Sequence, residues 1–119
     1  MQDFKKLKVW EKGHQLTLAI YKLTALFPKA ELYGLTSQMR RAAASVVSNI
    51  AEGCGRGGRA DFARFLQVAM GSASELEYQL LLAYDLNFIK GDDYKNLERA
   101  VVEVKRMLSA LMQCLRTEN

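Results

Sequence analysis

Apolar residues recur along this chain in alternating steps of four and three. The first run is Val9, Gly13, Leu16, Ile20, Leu23 and Phe27, and the second is Met39, Ala43, Val46 and Ile50. The third is Phe62, Leu66, Ala69, Ala73, Leu76, Leu80 and Ala83, and the fourth is Leu97, Val101, Val104, Leu108, Leu111 and Leu115. This spacing keeps apolar groups on one side of a helix. It predicts four amphipathic helices, over about 8–27, 35–53, 59–86 and 93–115.

The breakers fall between the runs. Pro28 closes the first and disfavours helical geometry at Phe27. Gly53 and Gly55 mark the expected stop of the second, and Asn87 the C-cap of the third. Thr36 or Ser37 is placed to cap the second helix, and Asp92 or Asp93 the fourth. Each connection is short enough that successive helices must fold back on one another. The expectation is an all-α chain forming one antiparallel, up-and-down four-helix bundle over residues 1–119.

Composition narrows the classes of function. No apolar run approaches the roughly 18 residues that span a bilayer. The charged start, Met1 to Lys8, is not followed by a continuous apolar signal core. A cytoplasmic protein with no membrane contact is expected. Cys54 and Cys114 match no metal or redox spacing and read as thiols. His14 is the one histidine and has no ligand pattern around it, while Glu75 and Glu77 face different sides of a helix. The loop from Gly53 to Gly58 lacks a phosphate-binding pattern, and no strand precedes it. No catalytic residue, cofactor site or metal site is assigned, and the chain is not expected to be an enzyme.

Charge is uneven. Residues 1–64 hold 11 Lys/Arg and 5 Asp/Glu, a balance of +6, whereas residues 65–119 hold 6 and 8, a balance of −2. Antiparallel packing brings Lys5, Lys6, Lys8 and Lys12 to the end that carries Arg56, Arg59 and Arg64. These are the first candidates for contact with nucleic acid. Arg40 and Arg41 form a second patch at the other end. Ser48, Asn49 and Glu52 make a polar cluster near the end of the second helix, either fixing the turn or forming a binding patch.

Two helices carry more apolar surface than one bundle needs. Tyr78, Leu81 and Leu82 make a second stripe on the third helix. Leu18, Tyr21 and Ala25 do so on the first, with Trp10 nearby. Contiguous stripes mark interfaces, and two different stripes that meet make a heterologous contact, which closes into a ring when the rotation permits.

Several stretches resemble a known family. They are Leu7-Lys8-Val9-Trp10, Tyr21 with Phe27-Pro28, Glu31 to Ala42, Ser48-Asn49-Ile50-Ala51-Glu52-Gly53, Phe65-Leu66 and Gly71 to Glu77. The pattern looks like the bacterial four-helix bundles encoded in intervening sequences of 23S ribosomal RNA. That family is similar to the accessory variability determinant of diversity-generating retroelements. The resemblance covers nearly the whole chain. It implies a non-catalytic bundle that assembles as a homopentamer and is linked to RNA, or to a reverse transcriptase, by basic surface. One departure is Gly57-Gly58, where a Ser or Thr cap would precede the third helix.

Overall fold

The fold comes from a computed structural model and is described over residues 3–117. Residues 1, 2, 118 and 119 of the expected domain lie outside the described residues. The helices are α1 (Lys8–Thr24), α2 (Leu35–Gly55), α3 (Arg59–Asp85) and α4 (Gly91–Thr117), and no strand occurs among the described residues. Short 3₁₀ turns, Phe4–Lys6 and Lys29–Glu31, precede α1 and α2. Each helix packs on the next and α1 closes against α4, while the diagonal pairs do not approach. The bundle measures 48 × 23 × 20 Å. Its long axis reflects the two helices of 27 residues, each roughly 40 Å at 1.5 Å per residue.

The helix ends show which local forces win. α1 stops at Thr24, three residues before the expected end at Phe27. Pro28 excludes helical geometry just before it, so the chain tightens. Leu26 N–H donates to the Leu23 carbonyl and Phe27 N–H to the Thr24 carbonyl, both at 3.1 Å. Phe27 is still buried, tilted against Phe88 at 5.4 Å. Neither Thr36 nor Ser37 caps α2. Gly34 occupies the N-cap, and the Glu31 carboxylate accepts the Leu35 N–H at 3.2 Å. A negative group there suits the positive end of the helix. α2 then runs two residues beyond Gly53, and Gly58 enters α3 with no side-chain cap. At the end of α3, Asn87 adopts left-handed geometry with φ 66°. Asn87 N–H donates to Tyr84 and Phe88 N–H to Ala83, both at 2.9 Å, the paired bonds of a Schellman motif. α4 starts at Gly91, so Asp92 and Asp93 fall within its first turn rather than capping it.

The core is the meeting of the four seams. Ile20, Met39, Ile50, Leu66, Leu76, Leu80, Val101 and Leu108 are fully buried. Several positions differ from the simple repeat, and Phe62, Leu97 and Leu115 of the seams are only partly buried. Thr24 is buried where Leu23 was expected, and Met112 is buried while Leu111 is only partly so. Thr24 tolerates burial because its hydroxyl donates to the Ile20 carbonyl at 2.7 Å. Gln79 is also buried. Its amide nitrogen donates to Glu75 at 3.4 Å, and its Oε1 meets no donor among the described residues.

Leu76 sits at the centre of α3 with no exposure. Leu76→Asp strands an unpaired charge in the core and should cost about 4 kcal/mol or more in urea denaturation. A Leu76→Asp protein with wild-type stability would contradict this packing.

Candidate functional site

The first basic set gathers at one end of the bundle. The 3₁₀ turn Phe4–Lys6 packs against α2 there. Burial pushes the Cys54 thiol above its usual range, and the nearby Asp3 carboxylate adds to this. Yet much of this end is internally matched. Arg56 pairs with Glu52 at 3.3 Å and Arg64 with Asp61 at 3.5 Å, and both guanidinium groups lie over the Phe65 ring. Lys12 reaches Glu103 of α4 at 3.5 Å. Arg59 stands in the first turn of α3, and Lys5, Lys6 and Lys8 are exposed. Exposed pairs are worth only about 0–1 kcal/mol, but each neutralises charge locally. The Glu52–Arg56 pair also offsets an acidic group placed at the negative end of α2.

The second set has a different environment. Arg40 and Arg41 border an open groove of about 660 Å³. Its other lining residues are Tyr21, Leu32, Tyr33, Thr36, Ser37, Ala44, Ser45 and Ser48. None is acidic, and neither arginine has a carboxylate within ion-pair distance among the described residues. Arg40 is held in place: its Nε donates to Thr24 Oγ1 at 2.9 Å and its Nη2 to the Tyr21 carbonyl at 3.3 Å. Its guanidinium lies 4.7 Å from the Tyr21 ring centroid. These bonds use two of its five N–H donors. Arg41 is exposed and touches the Ser37 hydroxyl at 3.5 Å. A fixed guanidinium beside an exposed one, with hydroxyls around them, suits an anion such as a phosphate.

The Ser48-Asn49-Glu52 cluster divides three ways. Asn49 turns inward and donates to the Ser45 carbonyl and hydroxyl at 2.7 and 3.0 Å. Ser45 shares a 2.8 Å hydrogen bond with Ser72 of α3. Glu52 pairs with Arg56, and Ser48 lines the groove.

The apolar stripes are also only partly free. Leu18, Tyr21, Tyr78 and Leu81 are exposed, as is Ala25. Leu82 and Trp10 instead pack on the core, and Trp10 stacks with His14 at 5.0 Å. Glu77 is tied to Lys105 at 2.8 Å. No cluster of three potential metal ligands occurs among the described residues. No described helix is long and apolar enough to cross a membrane.

The sequence reading missed the aromatic side of this groove. Tyr33 lies in the connection before α2 and Tyr21 on α1, so no local pattern joins them to Arg40 and Arg41. The Phe-Pro break and the short turn after it were the available signal that these segments return to the same place.

Comparison with known proteins adds the following. The sequence profile of the 23S rRNA-intervening sequence protein family matches residues 5–110. A crystal structure from Bacteroides thetaiotaomicron VPI-5482, a protein with unknown function from the S23 ribosomal protein family, superposes with a TM-score of 0.82. It is 24% identical, and the match covers 88% of this chain and 95% of that one. This likeness establishes the fold alone. Among curated proteins no match to the sequence is found.

Thr24 is the anchor for Arg40. Thr24→Val keeps the shape of the side chain and removes the acceptor of the Arg40 Nε bond. Urea denaturation should show a loss of about 1–2 kcal/mol, with Thr24→Ser losing less. Unchanged stability in Thr24→Val would mean that the contact holds nothing in place.

Proposed function

The chain belongs to the 23S rRNA-intervening sequence protein family, and from that premise we propose that it is a non-catalytic, oligomeric adaptor that binds RNA or another nucleic acid in the cytoplasm. The observation that carries this reading is the pair Arg40 and Arg41, which border the groove with no acidic neighbour in its lining. The first-choice set around Arg56, Arg59 and Arg64 supports it less, because Glu52 and Asp61 already engage two of those three. Arg40 and Arg41 therefore become the leading contacts, with Lys5, Lys6, Lys8 and the loop arginines as a second, weaker surface.

Assembly strengthens the case. The family resemblance implies a homopentamer, and the exposed Leu18 on α1, Ala25 at its end, and Tyr78 and Leu81 on α3 offer apolar surface for a ring, whereas Tyr21 already belongs to the groove. A ring multiplies weak phosphate contacts by its symmetry, so linked sites gain by avidity. The same exposed stripes favour a second reading, a protein-interaction module that never touches nucleic acid. A reverse transcriptase is a candidate partner under either reading.

Salt dependence separates the two. Light scattering on the intact chain should give a pentamer, and Tyr78→Lys with Leu81→Lys should dissociate it. Fluorescence anisotropy with ribosomal RNA fragments should show affinity falling steeply with salt, since phosphate contacts release counterions. Arg41→Gln should weaken binding and lower the salt slope by roughly one contact, about 0.7–0.9. Arg40→Gln with Arg41→Gln should lower it further without changing assembly. No RNA binding at low salt would overturn the nucleic-acid reading in favour of the interaction module.

A further inference from the structure

The nucleic-acid reading leaves open which form of the polymer the Arg40–Arg41 groove would take. We propose that this groove is a seat for a single strand: an unpaired base stacks on Tyr33, and the adjoining phosphodiester lies against Arg40 and Arg41. This rests on the reading above and specifies it.

Tyr33 is the most exposed large hydrophobic side chain among the described residues, at 93%. The core does not use it, and it stands in the same groove wall as two arginines and three serines. Tyr21, at 46% exposure, already has a guanidinium over its ring. The groove therefore offers a second aromatic surface that is partly taken and a first that is open. The groove is open and shallow, with a volume of about 660 Å³, room for a nucleotide laid along its surface.

The chemistry favours a strand whose bases are unpaired. In a duplex the base faces are stacked on one another, so an exposed tyrosine gains nothing from them. In a single strand each base presents a free π-face, and aromatic stacking with cationic backbone contacts is the usual means of holding it. Arg40 supplies a guanidinium whose direction is already fixed by Thr24 and the Tyr21 carbonyl, so little freedom is lost on binding. Ser37 and Ser48 add hydroxyls that donate to phosphate or to base edges. Glu31, in the turn before α2, is engaged by the Leu35 N–H and does not line the groove.

The test uses the intact chain and two fluorescein-labelled probes, an oligouridylate of about 12 nucleotides and a blunt RNA duplex of about the same length. Anisotropy at low salt should show tighter binding of the single strand. Tyr33→Ala should weaken single-strand binding about tenfold and leave duplex binding unchanged, and Tyr33→Phe, which keeps the π-face, should restore it. Because Tyr33 is so exposed, Tyr33→Ala should keep wild-type stability and assembly. If both probes bind equally and Tyr33→Ala changes neither, the single-strand seat is overturned while the nucleic-acid reading stands. If neither probe binds, the nucleic-acid reading itself fails and takes the seat with it. If Tyr33→Ala dissociates the assembly in light scattering, the groove is a subunit contact and the proposal is overturned.

Discussion

Where α1 crosses α2, a Cβ on Gly13 would sit 2.8 Å from Val47 Cγ1. Where α2 meets α3, a Cβ on Gly53 would sit 2.9 Å from Phe62 Cδ1 and 3.1 Å from Phe65 Cβ. Real Cβ atoms essentially never come within 3.0 Å of such a neighbour, so α1 and α3 lie this close to α2 because Gly13 and Gly53 carry no side chain. The rest of the bundle depends on this close approach to α2. It lets Ser45 and Ser72 meet at 2.8 Å, which larger residues between the helices would prevent. It also puts Thr24 of α1 within reach of Arg40. Buried Ala42 and Ala43 on α2 and Ala69 and Ala73 on α3 keep the facing surfaces thin. Leucines, isoleucine and methionine from all four helices then fill the centre.

Because its inner faces are occupied so tightly, α2 has a distinct outer face. Arg40, Arg41, Ser37 and Ser48 lie along it, and the connection from α1 brings Tyr33 alongside. Elsewhere on the surface, four cations are paired with anions: Lys12 with Glu103, Arg56 with Glu52, Arg64 with Asp61, and Lys105 with Glu77. Two arginines in a groove whose lining holds no acidic residue distinguish this face more than the net charge of +4 does. A modest overall excess says little about where an anion would settle.

The seams were legible in the sequence because a heptad repeat is a purely local signal. Leu66, Ala69, Ala73, Leu76, Leu80 and Ala83 are all buried, so α3 follows its repeat after a first position, Phe62, that is only partly buried. The departures occur where something other than hydrophobicity decides. Thr24 enters the core because its hydroxyl bonds its own helix and then receives Arg40, a tertiary event that spacing does not encode. Met112 is buried in place of Leu111 in the last turns of α4. The start of α2 is capped by Glu31, from the preceding turn, in place of the hydroxyls of Thr36 or Ser37. The candidate site was half legible. Arg40 and Arg41 stood out as charge, but their lack of acidic partners and the arrival of Tyr21 and Tyr33 are properties of the folded chain.

The central claim is that the α2 face bordered by Arg40 and Arg41 meets nucleic acid. Ultraviolet cross-linking of the intact protein to single-stranded RNA, followed by trypsin digestion and mass spectrometry, tests it most directly. Trypsin releases residues 30–40 as one peptide that carries Tyr33 and ends at Arg40. The account predicts a nucleotide adduct on that peptide. Adducts confined to residues 5–12 and 57–64, with the 30–40 peptide unmodified, would contradict it and move the contact to the opposite end of the bundle.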